Sequence, residues 1–166
     1  MRGGDSPASK GIMPRCIDRI LENIDSGTEV WISYLQIYCE NVTDLLDPSS
    51  SPSGYATSDG QLQIREKSGS VYVEGLSRCR ITHISHFFDA LEKGDGNRVT
   101  AATNANETSS RSHAVLMVTL IGKSTINGKV RERNESSLVL VDLAGSERYI
   151  HIHIHIKIHI NMHKYS

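Results

Sequence analysis

Two short stretches carry side chains suited to holding a metal ion beside a phosphate: NETSSRSH, Asn106 to His113, and DLAGSE, Asp142 to Glu147. The second follows an apolar run, LVLVDL, that reads as a buried strand. Such a strand, ending in aspartate and then glycine, puts a carboxylate at the carboxyl edge of a sheet, where α/β proteins bind ligands. Asp142 can hold Mg²⁺ there, directly or through water. Gly145 has no side chain, so its N–H can come close to a terminal phosphate. The same pattern also occurs where a strand simply ends in a turn, and the stretch alone leaves both readings open.

In the first stretch, Ser109 and Ser110 offer neutral oxygens of the kind Mg²⁺ accepts and donors for phosphate oxygens, and Arg111 offers a fixed cationic fork. A serine-rich loop with one arginine is, on its own, as a rule a solvated loop. The two stretches together are more specific. They supply a pair of loops that can share a metal, with oppositely charged Arg111 and Glu147 able to latch one loop to the other. His113 opens an apolar strand and is expected to be a satisfied structural residue rather than a catalyst.

The elements that must position these loops are legible in outline. From Pro14 to Ile24 apolar residues recur at helical spacing, with a proline in the first turn. Glu29 to Tyr38, EVWISYLQIY, reads as a core strand, and the residues up to Leu46 as a helical turn. Asp47 to Gly60 is almost wholly Ser, Gly, Pro and Asp and reads as a surface loop. Gln61 to Ile81 reads as two strands about a turn at Ser68 to Ser70, and HISHFFDALEKGDGNR as a helix before its glycines. Strands from His113 and from Ser137 follow, joined by a polar connection centred on Asn127-Gly128 that suggests a hairpin. The class is mixed α and β.

The bulk numbers set limits without choosing a function. Of the 166 residues 22% are charged and 38% apolar, with a formal net charge of −1, so neither nucleic acid nor an anionic membrane is expected as a partner. Cys16, Cys39 and Cys79 form no C-x-x-C pair and no disulfide framework, which suits a reducing, intracellular setting. The start, MRGGDSPASKG, lacks the apolar core of a secretory signal, and no run has the continuous apolarity of a membrane span. A soluble protein is expected.

N-x-x-S-S-R-S-H followed by L-V-D-L-A-G-S-E-R resembles switch I and switch II of the kinesin motor domain. Further segments resemble kinesins in the same order: GIMPR from Gly11, ISYLQIYCENVTDLL from Ile32, VYVEGL from Val71, and GNRVTAATNANETSSRSHAVLMVTL from Gly96. The resemblance covers about residues 11 to 149. It implies an α/β fold, a partial P-loop NTPase-type motor core with a mixed β-sheet and flanking helices. It also implies ATP and Mg²⁺ as cofactors, and microtubules as the partner. The place implied is the cytoplasm and its cytoskeleton, and a dimeric full-length parent is compatible with it.

Position by position, the resemblance implies that Ser110 reaches Mg²⁺, Asp142 holds the metal through water, and Ser109 helps order the attacking water. Asn106 would orient its loop near the phosphates and Gly145 would sense the γ-phosphate. Arg111 and Glu147 would close over the site, with Glu147 either taking a proton through water or serving purely as a latch. Gln61 to Ile81 resembles the kinesin strand pair that touches tubulin. Lys67, Arg78 and Arg80 are basic enough to approach an acidic surface there, though for any one of them a solvated edge is the plainer reading.

The phosphate-cradling G-x-x-x-x-G-K-[ST] does not occur among the 166 residues. In kinesins it precedes the segment that GIMPR resembles, so the expectation is a partial motor domain, inactive by itself. Residues 1–10 are expected to be a disordered segment, 11–149 the partial motor domain, and 150–166 a low-complexity tail. In that tail IHIHIHIKIHI alternates Ile150 to Ile160 with His151, His153, His155 and His159. As a strand it would put imidazoles on one face, able to share zinc or copper, or it would aggregate. The alternation is also what a simple DNA repeat such as CACATA encodes, and the abrupt change after Arg148 favours that origin. The leading expectation is a kinesin-like motor domain fragment. The second is a catalytically dead protein that binds tubulin or, through its His tail, a metal.

Overall fold

The computed structural model describes residue 3 and residues 9–38, 41–47, 62–67, 69–105, 111–126, 129–144 and 161–162. The loop expected over Asp47 to Gly60 and the tail therefore lie almost wholly outside the described residues, as does most of the segment 1–10. The chain begins with α1 (Ile12–Asn23), whose buried Met13, Pro14 and Ile17 share a face with the partly buried Ile20 and Leu21. Pro14 falls in the first turn, where a missing N–H breaks no helical bond. Ile24 closes the helix by donating its N–H to the Ile20 carbonyl at 3.0 Å.

The central strand is β1 (Thr28–Tyr38). Along one edge it pairs with β2 (Asn41–Asp44) and with β5 (Cys79–Ile81), and along the other with β6 (His113–Ile126). β6 pairs in turn with β7 (Lys129–Asp142), and β7 with β8 (Asn161–Met162). A separate two-stranded sheet is formed by β3 (Gln63–Lys67) and β4 (Ser70–Glu74), turning through Gly69 at φ 77°. Between β5 and β6 lies α2 (Ile84–Ala105).

Alternation along the strands divides the interior into two faces. Val30, Ile32 and Tyr34 of β1, with Ala114, Leu116 and Val118 of β6 and Leu140 of β7, face α1 and α2, where Ile17, Phe87 and Leu91 complete the larger core. Leu35, Val115 and Met117 face the other way, against Val42, Leu62, Val73 and Leu76. Both described helices thus cover one face, and the β3–β4 hairpin with its flanks covers part of the other.

Five details depart from the sequence reading, the first being that Gln61 to Ile81, expected as two strands, holds three, because the chain turns at Gly75 (φ 76°) and Cys79–Ile81 pairs with β1 in the main sheet. Every described strand pair is antiparallel, where a mixed sheet was expected. The two-residue links between β1 and β2, β3 and β4, and β6 and β7 are too short for the crossover a parallel pair needs, so those pairs must be antiparallel. Residues 41–44 form a strand rather than a helical turn, because Val42 and Asp44 reach inward while the strand pairs back on Tyr38 to Leu35. Helix α2 continues through Gly94 and Gly96 to Ala105. The polar arms of the β6–β7 connection are themselves strands. Ile126 pairs with Lys129 about residues 127–128, which lie outside the described residues, so the expected hairpin is present with longer arms.

At the start of β1 the Glu29 carboxylate gathers Lys123 at 2.8 Å, Arg80 at 3.1 Å and the Trp31 indole N–H at 3.2 Å. The Lys123 bond above all, helped by Trp31 and the neighbouring charges, holds this carboxyl below the usual range, against the opposing effect of partial burial. A lowered folded value means that the cluster's contribution is complete above the unfolded glutamate value of about 4.3. It is lost as pH falls through the lower, folded value. In thermal melts the gap between the protein and Glu29→Gln is expected to narrow steadily below about pH 4; a gap independent of pH would contradict the ion cluster.

Candidate functional site

The site is built on one edge of the main sheet. β6 begins at His113 and β7 ends at Asp142; they are antiparallel neighbours, with Ala114 opposite Asp142. The segment entering β6 and the segment leaving β7 are therefore side by side, which is what a shared ligand between the two motif loops requires. Ile37, near the end of β1, pairs with His113 at the same edge.

Two contacts brace this edge. Arg98, on α2, donates from Nη2 to the Ser112 carbonyl at 3.0 Å and lies 3.2 Å from its hydroxyl, and Ser112 is buried. The arginine thus sets the chain just before β6 against the helix, through a charge-assisted bond of the stronger class. The second brace links the loops themselves: the Ala144 N–H donates to Nδ1 of His113 at 3.0 Å. As the acceptor in this contact Nδ1 carries no proton, which leaves Nε2 as the ring's donor.

Of the residues singled out by sequence, Arg111 and Asp142 are described. Both are exposed at this edge, Arg111 in the turn before β6 and Asp142 at the last position of β7. Asn106, Ser109, Ser110, Gly145 and Glu147 lie outside the described residues, so the Arg111–Glu147 latch does too. Reasoning from sequence missed Arg98 and assigned His113 no part beyond structure. Arg98 had a signal: with Leu91 and Gly94 it occupies one face of α2, and a cation on a buried face must find an acceptor.

The charge of Asp142 is felt beneath the site. Tyr34, buried on β1, donates its hydroxyl to Asp95 Oδ1 at 3.1 Å. Burial first, then the charge and bond of Asp95, push the phenol well above its ordinary value; Asp142 acts in the same direction and Arg98 against it. For a metal, the one described candidate ligand fits: Asp142 is an exposed carboxylate with no cation paired to it among the described residues. No cluster of three or more His, Cys, Asp or Glu is formed among the described residues. A Mg²⁺ site does not need one, because that ion keeps several waters and takes few carboxylates.

The basic residues considered for tubulin are dispersed. Lys67 ends β3 on the separate hairpin, Arg80 is held by Glu29, and Arg78 faces Glu135 at 3.9 Å. Among the described residues no helix is long and apolar enough to cross a membrane.

Comparison with known proteins gives a consistent result. The model of the kinesin motor domain matches residues 1–157. The kinesin heavy chain of Syncephalastrum racemosum is 37% identical over 150 residues, 87% of this chain and 15% of that one. Kinesin-like protein KIF1B of Homo sapiens is 37% identical over 156 residues, 89% of this chain and 8% of that one. The solved structure of a fast kinesin, described for its ATPase mechanism and interactions with microtubules, superposes with a TM-score of 0.70 at 31% identity. It covers 88% of this chain and 40% of that one. The chain thus spans a small part of the length of the curated relatives it matches, and it belongs to the kinesin motor domain family.

Proposed function

We propose that residues 11–149 are the switch-bearing part of a kinesin-type motor domain, in which ATP binding and hydrolysis drive movement on microtubules in the cytoplasm. The observation that carries this reading is the sheet edge where β6 starts and β7 ends, with the two motif segments joined by the His113–Ala144 bond.

Bound MgATP supplies the γ-phosphoryl group and the cation that neutralises its charge. Asp142, at the end of β7, would hold Mg²⁺ through water and Ser110 would offer it a hydroxyl, the cation supplying neutralisation of the phosphate charge. Ser109 orders the attacking water, Asn106 orients its loop towards the phosphates, and Gly145 brings a bare backbone N–H to the terminal phosphate. Arg111 and Glu147 close the two loops over one another, and Glu147 accepts a proton through water.

Catalysis of this kind is mostly positioning and charge stabilisation, and the phosphate-cradling G-x-x-x-x-G-K-[ST] is not among these 166 residues. The chain alone is expected to show no measurable ATP turnover; Mg²⁺-dependent phosphate release above the protein-free background would overturn that. The motor reading itself is tested by exchanging residues 11–149 for the matching segment of the Syncephalastrum kinesin heavy chain. Microtubule-stimulated turnover should persist in the exchange and fall at least about tenfold with Asp142→Ala. A folded exchange protein with no stimulated turnover would sink the reading.

A further inference from the structure

We infer that His113 is a positioning residue: its imidazole, accepting through Nδ1, holds the Ala144 peptide and so couples the segment leaving β7 to the segment entering β6. The plain alternative is a histidine that merely fills space at the start of a strand.

Three observations favour coupling. First, the contact is directional. The Ala144 N–H donates to Nδ1 at 3.0 Å, and Ala144 lies beyond the end of β7, where the ladder with β6 no longer holds the backbone. The imidazole therefore replaces a ladder bond at the first position where the strand pair could splay. Second, His113 is itself anchored. Its own backbone pairs with Ile37, and the preceding Ser112 is gripped by Arg98 from α2. The path from α2 through Ser112 and His113 to Ala144 is a continuous series of short polar contacts and covalent bonds. Third, what it holds is next to the proposed machinery. Asp142, fixed at the end of β7, is two residues before Ala144, and Gly145 is the next residue in sequence. Leu143, between them, is 52% exposed and supplies little packing of its own.

The bond asks for an acceptor at one place, and this separates coupling from packing. In asparagine the side-chain oxygen is the same number of bonds from Cβ as Nδ1 is in histidine; in glutamine it is one bond farther. His113→Asn should therefore keep the Ala144 bond, whereas His113→Gln and His113→Ala should lose it. A space-filling role would instead favour the larger glutamine.

The test uses the whole chain and nuclear magnetic resonance. In the unaltered protein His113 should be the Nε2–H tautomer, and the Ala144 amide should be protected from exchange. Exchange at Ala144 should be about tenfold faster in His113→Gln and His113→Ala and near the original rate in His113→Asn. An Nδ1–H tautomer, which requires no variant to observe, would overturn the inference. Equal exchange in all three variants would overturn it as well. The consequence for turnover rests on the motor reading and is measured separately, in the exchanged kinesin. There kcat should drop in His113→Gln and recover in His113→Asn, with KM for ATP changing less. If that protein is inactive with His113 intact, the motor reading fails while the tautomer and exchange data still decide the role of His113.

Discussion

Asp44→Ala is expected to destabilise the fold by about 3–5 kcal/mol, a loss of the size seen when a buried charged group is removed from several partners. Asp44 is buried at the end of β2. Its Oδ1 accepts the Leu46 N–H at 2.8 Å and the Asp47 N–H at 3.2 Å, and its Oδ2 accepts the Ser77 N–H at 2.7 Å. Three backbone donors thus converge on one buried carboxylate, which is how such a group is tolerated with no cation paired to it among the described residues. The first two bonds shape the turn after β2. The third ties that turn to the segment leading into β5, across the residues the sequence marks as a surface loop. The same turn receives α2, because Asn97 donates to the Leu45 carbonyl at 2.7 Å and Leu45 donates its N–H to Tyr34 at 2.8 Å. Alanine would leave three donors stranded, each worth about 1–3 kcal/mol when unsatisfied, with rehydration of the part-exposed Asp47 keeping the total below their sum. Asp44→Asn retains Oδ1 but turns an NH₂ towards the Ser77 N–H, so its loss should be about half as large. Urea unfolding measures both. A cost under about 1 kcal/mol for Asp44→Ala, with an unchanged slope, would show that the three bonds do not organise the turn.

The elements that proved legible are those whose pattern is local. β1 announces itself by its density of β-branched and aromatic residues, and α1 by apolar spacing over one face. The β6–β7 hairpin follows from Asn127-Gly128 between two apolar runs. The site's two halves were legible for a related reason: a strand ending in Asp142 and a loop ending at His113 must meet at one edge once those strands pair. What was hidden depends on contacts between elements remote in sequence. Asp44 reads from sequence as part of a helical turn, because nothing nearby shows that Ser77 will be brought beside it. His113 reads as a strand opener, because nothing nearby in sequence shows that Ala144 will face it. The end of α2 departs from the sequence expectation for the opposite reason: the poor helix propensity of glycine is a local rule that packing overrides there.

That override makes the next expected result the sharper one: Gly94→Val should destabilise the fold by about 3 kcal/mol, while Gly96→Ala should stabilise it by up to about 1 kcal/mol. On intrinsic propensity the two glycines are equivalent, and each weakens a helix by about 1 kcal/mol relative to alanine. Their surroundings differ. A Cβ at Gly94 would run into the ring of Tyr34 and lie 3.6 Å from Leu45 Cβ, whereas a Cβ at Gly96 would meet nothing within 4 Å. Tyr34 cannot swing aside cheaply, since its ring is buried and its hydroxyl is bonded to Asp95, the residue that follows Gly94. Any side chain at 94 must therefore push α2 away from β1, straining the Asn97–Leu45 bond and shifting Arg98 relative to Ser112. Glycine is kept at 94 because close approach of helix to strand is worth more there than helix propensity. The helix continues through it because the bonds from Asp95, Asn97 and Arg98 hold the following turns in place. Circular dichroism melts of the two variants decide the matter. If Gly94→Val is as stable as the original, the helix does not seat against Tyr34, and the brace from Arg98 to Ser112 loses its foundation.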